Sequence, residues 1–308
     1  MGRLGKYELG RTLGEGTFGK VKLARHIESA SLFAIKVMEK SRIQQLQVAN
    51  QVKREITALK ALRHRNVVRL HEVLASKSRI YMVLEYVNGD ELYNMIANRG
   101  KIPESEGRKL FQQIIDAVSY CHNKGVFHRD LKLENVLVDV SGNLKISDFG
   151  LSALPEHQRG DGLFHTTCGS PNYVAPEILS NRGYHGAASD VWSCGVMLYA
   201  ILTGYLPFDD RNLAVLYQKI FKGDIQIPKW LSKGAKHLIR KILEPNPAKR
   251  MTMADIKADE WFRQCYNPGE CEGDNDDDDD DDTSLYLVQE KVWLGRFQRR
   301  LFVCLHIG

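Results

Sequence analysis

The sequence predicts an α+β protein in which a strand-rich amino-terminal third precedes a helix-rich remainder. Residues 7–37, YELGRTLGEGTFGKVKLARHIESASLFAIKV, alternate apolar and polar side chains around glycine turns, as half-buried strands do. From residue 103 onward, apolar positions recur at helical spacing instead. The chain has 308 residues, of which 43% are hydrophobic, so it can bury a sizeable core in two domains or in one bilobal unit.

The individual elements can be read in order along the chain. Residues 7–37 predict a strand, a hairpin and a second strand, and residues 46–62 repeat apolar positions at the spacing of a helix. The runs VVRLHEVL and RIYMVLEYV predict two more strands. The segment PESEGRKLFQQIIDAVSYCHNKG predicts a helix, because Pro103 and acidic residues stand in its first turn and Gly125 follows its end. No internal repeat is visible.

Composition excludes several classes of protein. No run of about 18 apolar residues occurs, and the amino terminus lacks an apolar h-region, so we expect neither a membrane span nor a secretory signal. The six cysteines form no CxxC pair and no ordered spacing with histidines, which predicts reduced thiols rather than a disulfide framework or a zinc site. We therefore expect a cytoplasmic protein, with the nucleus as the alternative compartment.

Charge is distributed unevenly along the chain. The net charge is +5, yet residues 270–282, ECEGDNDDDDDDD, carry ten acidic groups, and residues 283–308 carry four basic and one acidic group. Residues 1–269 therefore hold 39 basic and 27 acidic groups, a net charge near +12. A basic body of this kind attracts phosphorylated or nucleotide ligands. We expect no nucleic-acid partner, because no basic stripe interleaved with aromatic residues and no nucleic-acid-binding motif is present.

A glycine loop, GEGTFGKV, lies between the first two predicted strands. Its small residues let backbone amides approach phosphate oxygens closely, but the same spacing also marks dinucleotide-binding turns. A dinucleotide site needs a helix straight after the glycines, whereas Val21, Leu23 and Ala24 continue a strand. Lys36 follows on the next strand and is suited to hold nucleotide phosphates. Glu55, on the predicted helix, is its natural partner, because a lysine among apolar neighbours needs an opposite charge.

A polar loop, FHRDLKLENVL, places Asp130, Lys132 and Asn135 within six positions of one another between two apolar runs. Two interpretations remain open on these residues alone. The loop either performs chemistry or is a polar turn between two core strands, because His, Arg, Asp and Asn are common in turns.

Five motifs occur in a fixed order along the chain: GEGTFGKV, AIK, HRDLKLEN, DFG and APE. Each motif is weak alone, but the ordered set resembles the eukaryotic protein kinase family over roughly residues 7–262. The resemblance implies a bilobal kinase fold, with a small antiparallel-sheet N-lobe and one helix in residues 1–87 and a larger helical C-lobe in residues 88–262. It also implies transfer of the γ-phosphate of ATP to protein substrates.

The resemblance assigns roles to the polar loop and to its partners. Asp130 is similar to the residue that positions the acceptor hydroxyl and takes its proton, and Lys132 to the lysine near the transferred phosphoryl group. Asn135 and Asp148 correspond to the ligands of Mg²⁺ or Mn²⁺. The lysine at position 132 is typical of serine/threonine kinases, which favours Ser and Thr as acceptors.

The resemblance also implies an ATP site. Lys36 contacts the α- and β-phosphates while Glu55 holds it, and Leu84 is similar to the gatekeeper beside the adenine. The other ATP-binding residues that the resemblance implies are Gly14, Gly16, Gly19, Val21, Ala34, Glu85, Val87 and Glu91. Four residues resemble the stacked spine of an active kinase, namely Leu59, Leu70, His128 and Phe149. Three residues have expected structural roles: Glu177 and Arg250 as a buried ion pair, and Asp190 as an anchor of the catalytic loop.

The segment between DFG and APE is expected to switch the activity through phosphorylation. It is polar and contains glycines, and Thr166 stands where the family carries its activating phosphate, with Thr167 as the second candidate. If an upstream kinase adds a phosphate there, Arg129 is the cation expected to bind it and to order the loop around it. Glu91 and Glu134 stand where related kinases place acids that recognise basic residues before the phosphorylated Ser.

The wording GKYELGRTLGEGTFGKVKLAR, DFGLSALPE and NVVRLHEVLASKSRIYMVLEYV most resembles the plant calcineurin-B-like-interacting protein kinases, within the AMP-activated and calcium/calmodulin kinase group. The resemblance implies calcium-linked or stress signalling. The Asn-Ala-Phe motif of that group's regulatory half does not occur in this sequence, so we expect no calcium-sensor partner.

Residues 263–282 predict an acidic disordered linker, and residues 283–308 match nothing in that regulatory half.

The sequence allows two alternatives to an active kinase. A pseudokinase or scaffold is expected to have lost at least one of four residues, and all four are present: Lys36, Asp130, Asn135 and Asp148. The second alternative is a truncated product that competes with a full-length kinase for substrates.

Overall fold

The computed structural model describes residues 2–16, 19–166, 168–180 and 182–267, apart from the side chain of Glu156. In this part of the chain, six amino-terminal strands form an antiparallel sheet in the order β1-β2-β3-β4-β6-β5. The strands are β1 (Gly2–Leu4), β2 (Tyr7–Gly16), β3 (Gly19–His26), β4 (Leu32–Glu39), β5 (Leu70–Ala75) and β6 (Arg79–Glu85). Their inward residues, at the alternate positions that the pattern predicted, form a core cluster around Tyr7, Ala24, Ile35 and Val83.

Two helices follow β4. Helix α2 (Ala49–Ala61) lies within the predicted helix 46–62 and buries residues three and four apart, including Val52, Glu55 and Leu59. The prediction of a single helix in the N-lobe was wrong, because a short helix, α1 (Lys40–Gln45), precedes α2 and buries Ile43. Helix α1 spans less than two turns, too short for a periodic apolar pattern to reveal it.

A second sheet, which the sequence did not predict, pairs a strand just after the first sheet with two strands from residues 136–146. Its strands are β7 (Gly89–Glu91), β8 (Val136–Asp139) and β9 (Leu144–Ile146), in the order β7-β8-β9. Gly89 is required here, because a Cβ on it would lie 1.9 Å from the carbonyl oxygen of Val138. Strands of three or four residues carry too few alternations to be recognised in the sequence.

The rest of the described chain is helical. The helices are α3 (Leu92–Arg99), α4 (Glu104–Asn123), α5 (Pro176–Leu179), α6 (Gly186–Thr203), α7 (Leu213–Lys222), α8 (Lys233–Ile242), α9 (Met253–Ala258) and α10 (Glu260–Arg263). Helix α4 matches the predicted helix after Pro103, which is its N-cap residue. Helix α6 is buried along almost its whole length and forms the centre of the helical core.

The small sheet-rich lobe and the larger helical lobe confirm the predicted α+β, bilobal kinase fold. Among the described helices, none has both the length and the apolar character needed to cross a bilayer. Most of the predicted acidic linker and the whole of residues 283–308 lie outside the described residues.

Candidate active site

A cleft of about 840 Å³ is lined by residues of both lobes. Gly14 and Gly16 line it from β2, and Gly19 lines it from β3. A Cβ on Gly19 would lie 1.9 Å from the carbonyl oxygen of Val37, so a larger residue would displace β4. The other predicted nucleotide-site residues that line this cleft are Val21, Ala34, Leu84, Glu85, Val87 and Glu91. The structure thus brings the predicted ATP-binding residues to one cleft of a size typical for small-molecule ligands.

Lys36 is held inside this cleft by two carboxylates. Its Nζ lies 2.6 Å from Glu55 Oε1 on α2 and 3.4 Å from Asp148 Oδ1. Burial alone lowers the pKa of Lys36, but the charges of Glu55 and Asp148 outweigh burial and raise it above its usual value. The ammonium group therefore stays charged at neutral pH, at a fixed position between the two lobes.

The carboxylate of Asp130 lies at the centre of a small hydrogen-bonded group. Its Oδ1 accepts the backbone N–H and the hydroxyl of Ser170, both at 3.1 Å, and its Oδ2 lies 3.1 Å from Lys132 Nζ. Lys132 also donates to Ser170 Oγ at 3.0 Å. Lys132 and Ser170 therefore both contact one carboxylate that still lines the cleft.

Asp190 fixes the backbone of the catalytic loop, residues 127–137, through hydrogen bonds. This carboxylate, on α6, accepts the backbone N–H groups of His128 and Arg129 at 2.9 and 2.8 Å, and it lies 2.8 Å from His122 Nε2. Arg129 has the left-handed φ of 63°, a conformation that costs about 1–3 kcal/mol in a residue with a side chain. The two hydrogen bonds from the loop to Asp190 offset that strain, which places Asp190 in the structural role predicted for it.

The segment that carries Asp148 is tied to the same loop. The carbonyl oxygen of Asn135 accepts both the backbone N–H and the hydroxyl of Ser147, at 2.8 and 3.0 Å. The rings of His128 and Phe149 lie 4.7 Å apart between centroids, tilted by 55°, and both residues are buried, as the predicted spine requires. Leu59, the spine member on α2, is also buried.

Asp148 and Asn135 suit a divalent cation. Asp148 has the left-handed φ of 58°, and its side chain, which is 53% exposed, lines the cleft. Burial raises its pKa, but the charges of Lys36 and His128 outweigh burial and hold it below its usual value, so the carboxylate is ionised. The amide nitrogen of Asn135 donates to the carbonyl oxygen of Asp130 at 2.9 Å, which fixes its orientation. Carboxylate and amide oxygens are the ligands that Mg²⁺ prefers.

An acidic rim adjoins the cleft at Glu91 and Glu134, which both line it. Burial raises the pKa of Glu91, and the nearby carboxylates of Asp90 and Glu134 raise it further. Among the described residues, the buried Oε2 atom of Glu134 has no hydrogen-bond partner. Two neighbouring carboxylates, one of them with a buried oxygen that is unpaired within the described chain, are suited to a cationic ligand group.

Thr166 lies on the activation segment, the stretch between DFG and APE. The side chain of Thr166 is exposed, and Thr167 lies outside the described residues. Arg129 is buried; its Nε donates to the carbonyl oxygen of Leu151 at 2.9 Å and its Nη1 to the hydroxyl of Tyr184 at 3.3 Å. Tyr184 in turn donates to the carbonyl oxygen of Thr166 at 3.0 Å. Arg129 therefore reaches the Thr166 segment through Tyr184.

Three residues of this site were not predicted from the sequence. Ser170 contacts Asp130 and Lys132, Tyr184 links Arg129 to the Thr166 segment, and Arg54 on α2 lies near Arg129. Burial lowers the pKa of Arg54, and the charge of Arg129 lowers it further. Each stands far along the chain from its partner, and no local spacing signals a contact made by tertiary packing.

The predicted ion pair between Glu177 and Arg250 is present and buried. The two groups meet in a bidentate contact, at 2.6 Å from Nη1 to Oε1 and 2.8 Å from Nη2 to Oε2. Both side chains lie away from the cleft lining. Their role is therefore structural.

Comparisons with known proteins agree with this geometry. The protein kinase domain model matches residues 7–262. CBL-interacting protein kinase 1 of Oryza sativa subsp. japonica is 68% identical over 265 residues, which cover 86% of this chain and 58% of that protein. CBL-interacting serine/threonine-protein kinase 1 of Arabidopsis thaliana is 63% identical over 288 residues, covering 94% of this chain and 65% of that protein.

These relatives confirm the resemblance to the calcineurin-B-like-interacting group, and the chain spans little more than half the length of the first of them. The matched residues include every motif from the glycine loop to APE. By this match and by its fold, the chain belongs to the protein kinase family.

Proposed function

We propose that this chain is a serine/threonine protein kinase that uses ATP and Mg²⁺. One observation carries the proposal: Asp130, Lys132 and Ser170 form a single hydrogen-bonded group in the cleft that also contains the Lys36–Glu55 pair and Asp148. These are the charges that phosphoryl transfer needs, because its loose transition state depends on positioning and on neutralised oxygens. A pseudokinase would not require all of them.

The residues divide the work in a definite way. Asp130, oriented by Lys132 and Ser170, accepts the hydrogen bond of the substrate hydroxyl and takes its proton as the new bond forms. Lys36 holds the α- and β-phosphates, and its own position is held by Glu55. Asp148 and Asn135 would hold Mg²⁺, which when bound neutralises charge on the β- and γ-phosphates.

Radiolabelled phosphate transfer from ATP to a Ser/Thr peptide library tests the assignment. We expect Asp130→Asn and Asp148→Asn each to lower turnover by orders of magnitude while the thermal unfolding temperature stays close to that of the wild type. Asp224→Asn, an exposed aspartate outside the cleft lining, is the matched control and should leave turnover unchanged. Wild-type turnover in both active-site variants would reject the kinase assignment.

We further propose that the substrates carry Arg or Lys about three positions before the acceptor. The support is the acidic rim, where Glu134 has a buried carboxylate oxygen without a partner among the described residues. A guanidinium or ammonium group would supply a charge-assisted hydrogen bond there. In a positional library, Glu134→Gln should weaken the basic preference, whereas Glu106→Gln, at a surface ion pair, should not. If Glu134→Gln keeps the same preference for an upstream basic residue, Glu134 does not recognise that residue.

Activation by an upstream kinase at Thr166 is part of the same proposal. The exposed Thr166 is linked through the Tyr184 hydroxyl to Arg129, and Arg54 lies near Arg129. A phosphate would add about two negative charges for these cations to bind. Phosphorylation should raise activity in the wild type and in Thr57→Ala, an exposed threonine on α2, but not in Thr166→Ala. Full activation of Thr166→Ala would indicate that Thr167, rather than Thr166, is the activating phosphorylation site.

We propose, finally, that calcium sensors of the calcineurin-B-like type do not stimulate residues 1–308. The support is the missing Asn-Ala-Phe motif. Titration of the chain with calcium-loaded sensor, beside a relative that contains the motif, tests this directly. Stimulation of this chain by the sensor would show that residues outside that motif bind it.

A further inference from the structure

Tyr184 joins the activation segment to the catalytic loop. Its side chain is 4% exposed, and its hydroxyl donates to the carbonyl oxygen of Thr166 at 3.0 Å while accepting from Arg129 Nη1 at 3.3 Å. The backbones of Tyr184 and Phe164 exchange two hydrogen bonds of 3.0 Å. The tyrosine ring is thus fixed, and its hydroxyl also lies 3.7 Å from the Sγ atom of Cys168, which belongs to the same segment as Thr166.

Arg129, on the other side of this hydroxyl, adjoins Asp130 in the chain. Its guanidinium also donates to the carbonyl oxygen of Leu151, just after the DFG motif, and lies 5.1 Å above the ring of Phe164. Its backbone is strained and is fixed by Asp190. A continuous line of contacts therefore runs from the Thr166 segment through the Tyr184 hydroxyl to both the catalytic and the metal-binding segments.

We propose that Tyr184 is a positioning residue that holds the unphosphorylated activation segment against Arg129 and so sets the activity of the chain before Thr166 is modified. This inference rests on the proposed kinase function and on Thr166 as the modified residue. The tyrosine hydroxyl provides a bond between Arg129 and the segment without any phosphate. Losing it would loosen Thr166 and, four residues later, Ser170, which contacts the carboxylate of Asp130.

A phosphate at Thr166 makes this bond redundant. Its charge-assisted hydrogen bonds to guanidinium groups are about twice as strong as neutral ones, so Arg129 and Arg54 would then hold the segment directly. The contribution of Tyr184 should therefore be large before phosphorylation and small after it. A residue that merely stabilised the fold would contribute equally in both states.

The test compares Tyr184→Phe with the unchanged tyrosine in two backgrounds, Thr166→Ala and the Thr166-phosphorylated chain. In Thr166→Ala we expect about a tenfold loss of kcat/KM for a peptide substrate, with KM for ATP unchanged. In the phosphorylated chain the loss should be less than twofold. Equal losses in the two backgrounds, or no loss in Thr166→Ala, would overturn the proposal.

Tyr199→Phe is the matched control. The hydroxyl of Tyr199 donates to the carbonyl oxygen of Gln226 at 2.7 Å, in the helical lobe and outside the cleft lining, so its loss removes a comparable bond. It should leave kcat/KM unchanged in both backgrounds.

Hydrogen exchange separates this inference from the kinase assignment. In Tyr184→Phe the amides of residues 163–166 should exchange faster than in the unchanged chain or in Tyr199→Phe, whether or not the protein transfers phosphate. If the unchanged chain transfers no phosphate but these amides exchange faster in Tyr184→Phe, the proposed kinase function is rejected and the positioning role of Tyr184 is retained. Unchanged exchange would reject the positioning role itself.

Discussion

Three carboxylates in the cleft, Asp130, Asp148 and Glu91, are chemically alike but stand in different surroundings. Asp130 is fixed by Ser170 and by the ammonium of Lys132. The pKa of Asp148 is lowered because the charges of Lys36 and His128 outweigh its burial. The pKa of Glu91 is raised by burial and by two neighbouring acids. As pH falls, Glu91 therefore loses its charge before Asp148 does.

The pH dependence of substrate selection follows from this order. As pH falls through the raised pKa of Glu91, its carboxylate becomes neutral and attracts a basic substrate residue less strongly. We expect kcat/KM for a peptide with an upstream Arg to fall toward acidic pH more steeply than for the matched peptide with Ala. In Glu91→Gln the two profiles should run parallel, because the titrating group is gone. Parallel profiles in the wild type would contradict the prediction.

At this scale, the sequence predicts proximity where residues belong to one contiguous motif. Asp130, Lys132 and Asn135 share one loop, so their proximity could be predicted from their spacing, and their joint role stays a prediction from the resemblance. The contacts of Ser170 and Tyr184 could not be predicted, because each depends on which distant segment folds against it. Their signal exists only in the tertiary contacts.

At the scale of elements, one ion pair fastens the short helix α5 to the segment after α8. Arg250 and Glu177 are nearly inaccessible, and Arg250 also donates to the carbonyl oxygens of Glu244 and Ala188. Its guanidinium lies 5.0 Å above the ring of Trp192 on α6. The helix that ends the activation segment is thereby held to the central helix of the core.

Breaking this pair should be costly. Arg250→Ala leaves the buried carboxylate of Glu177 without its cation, for which we expect a loss of about 3–5 kcal/mol in the free energy of unfolding. The matched control is Arg99→Ala, which breaks the bidentate pair with Glu106 on the exposed surface and should cost only a small fraction of that loss. Denaturant unfolding measures both variants. Similar losses would mean that burial does not govern the strength of these pairs.

Long elements were predictable and short ones were not. Strands β2 to β6 and helices α2 and α4 each contain enough residues for a period of two or of 3.6 to show. Helix α1 and the strands β1, β7, β8 and β9 contain too few. Strand β7 forms because Gly89 allows the close approach to Val138, a requirement that concerns two segments at once.

At the scale of the whole molecule, the two lobes meet at one cleft, and the ligand site uses both. The glycine turn and Lys36 belong to the sheet-rich lobe, whereas Asp130 and Asn135 belong to the helical lobe. The bilobal arrangement followed from the order of the motifs, because a set of five fixes which segment supplies which part of the site. A ligand that spans the cleft should therefore stabilise both lobes together.

This coupling predicts the thermal stability of the liganded chain. A non-hydrolysable ATP analogue with Mg²⁺ at 100 times its dissociation constant adds about 2.7 kcal/mol, which corresponds to a rise of roughly 5–10 °C in the unfolding temperature of a domain of this size. The part of the rise that depends on Mg²⁺ should disappear in Asp148→Asn, because the metal loses a carboxylate ligand. Asp130→Asn should retain the full rise, since Asp130 acts on the acceptor hydroxyl rather than on the nucleotide. Loss of the rise in Asp130→Asn, or its persistence with Mg²⁺ in Asp148→Asn, would contradict the division of roles between these two carboxylates.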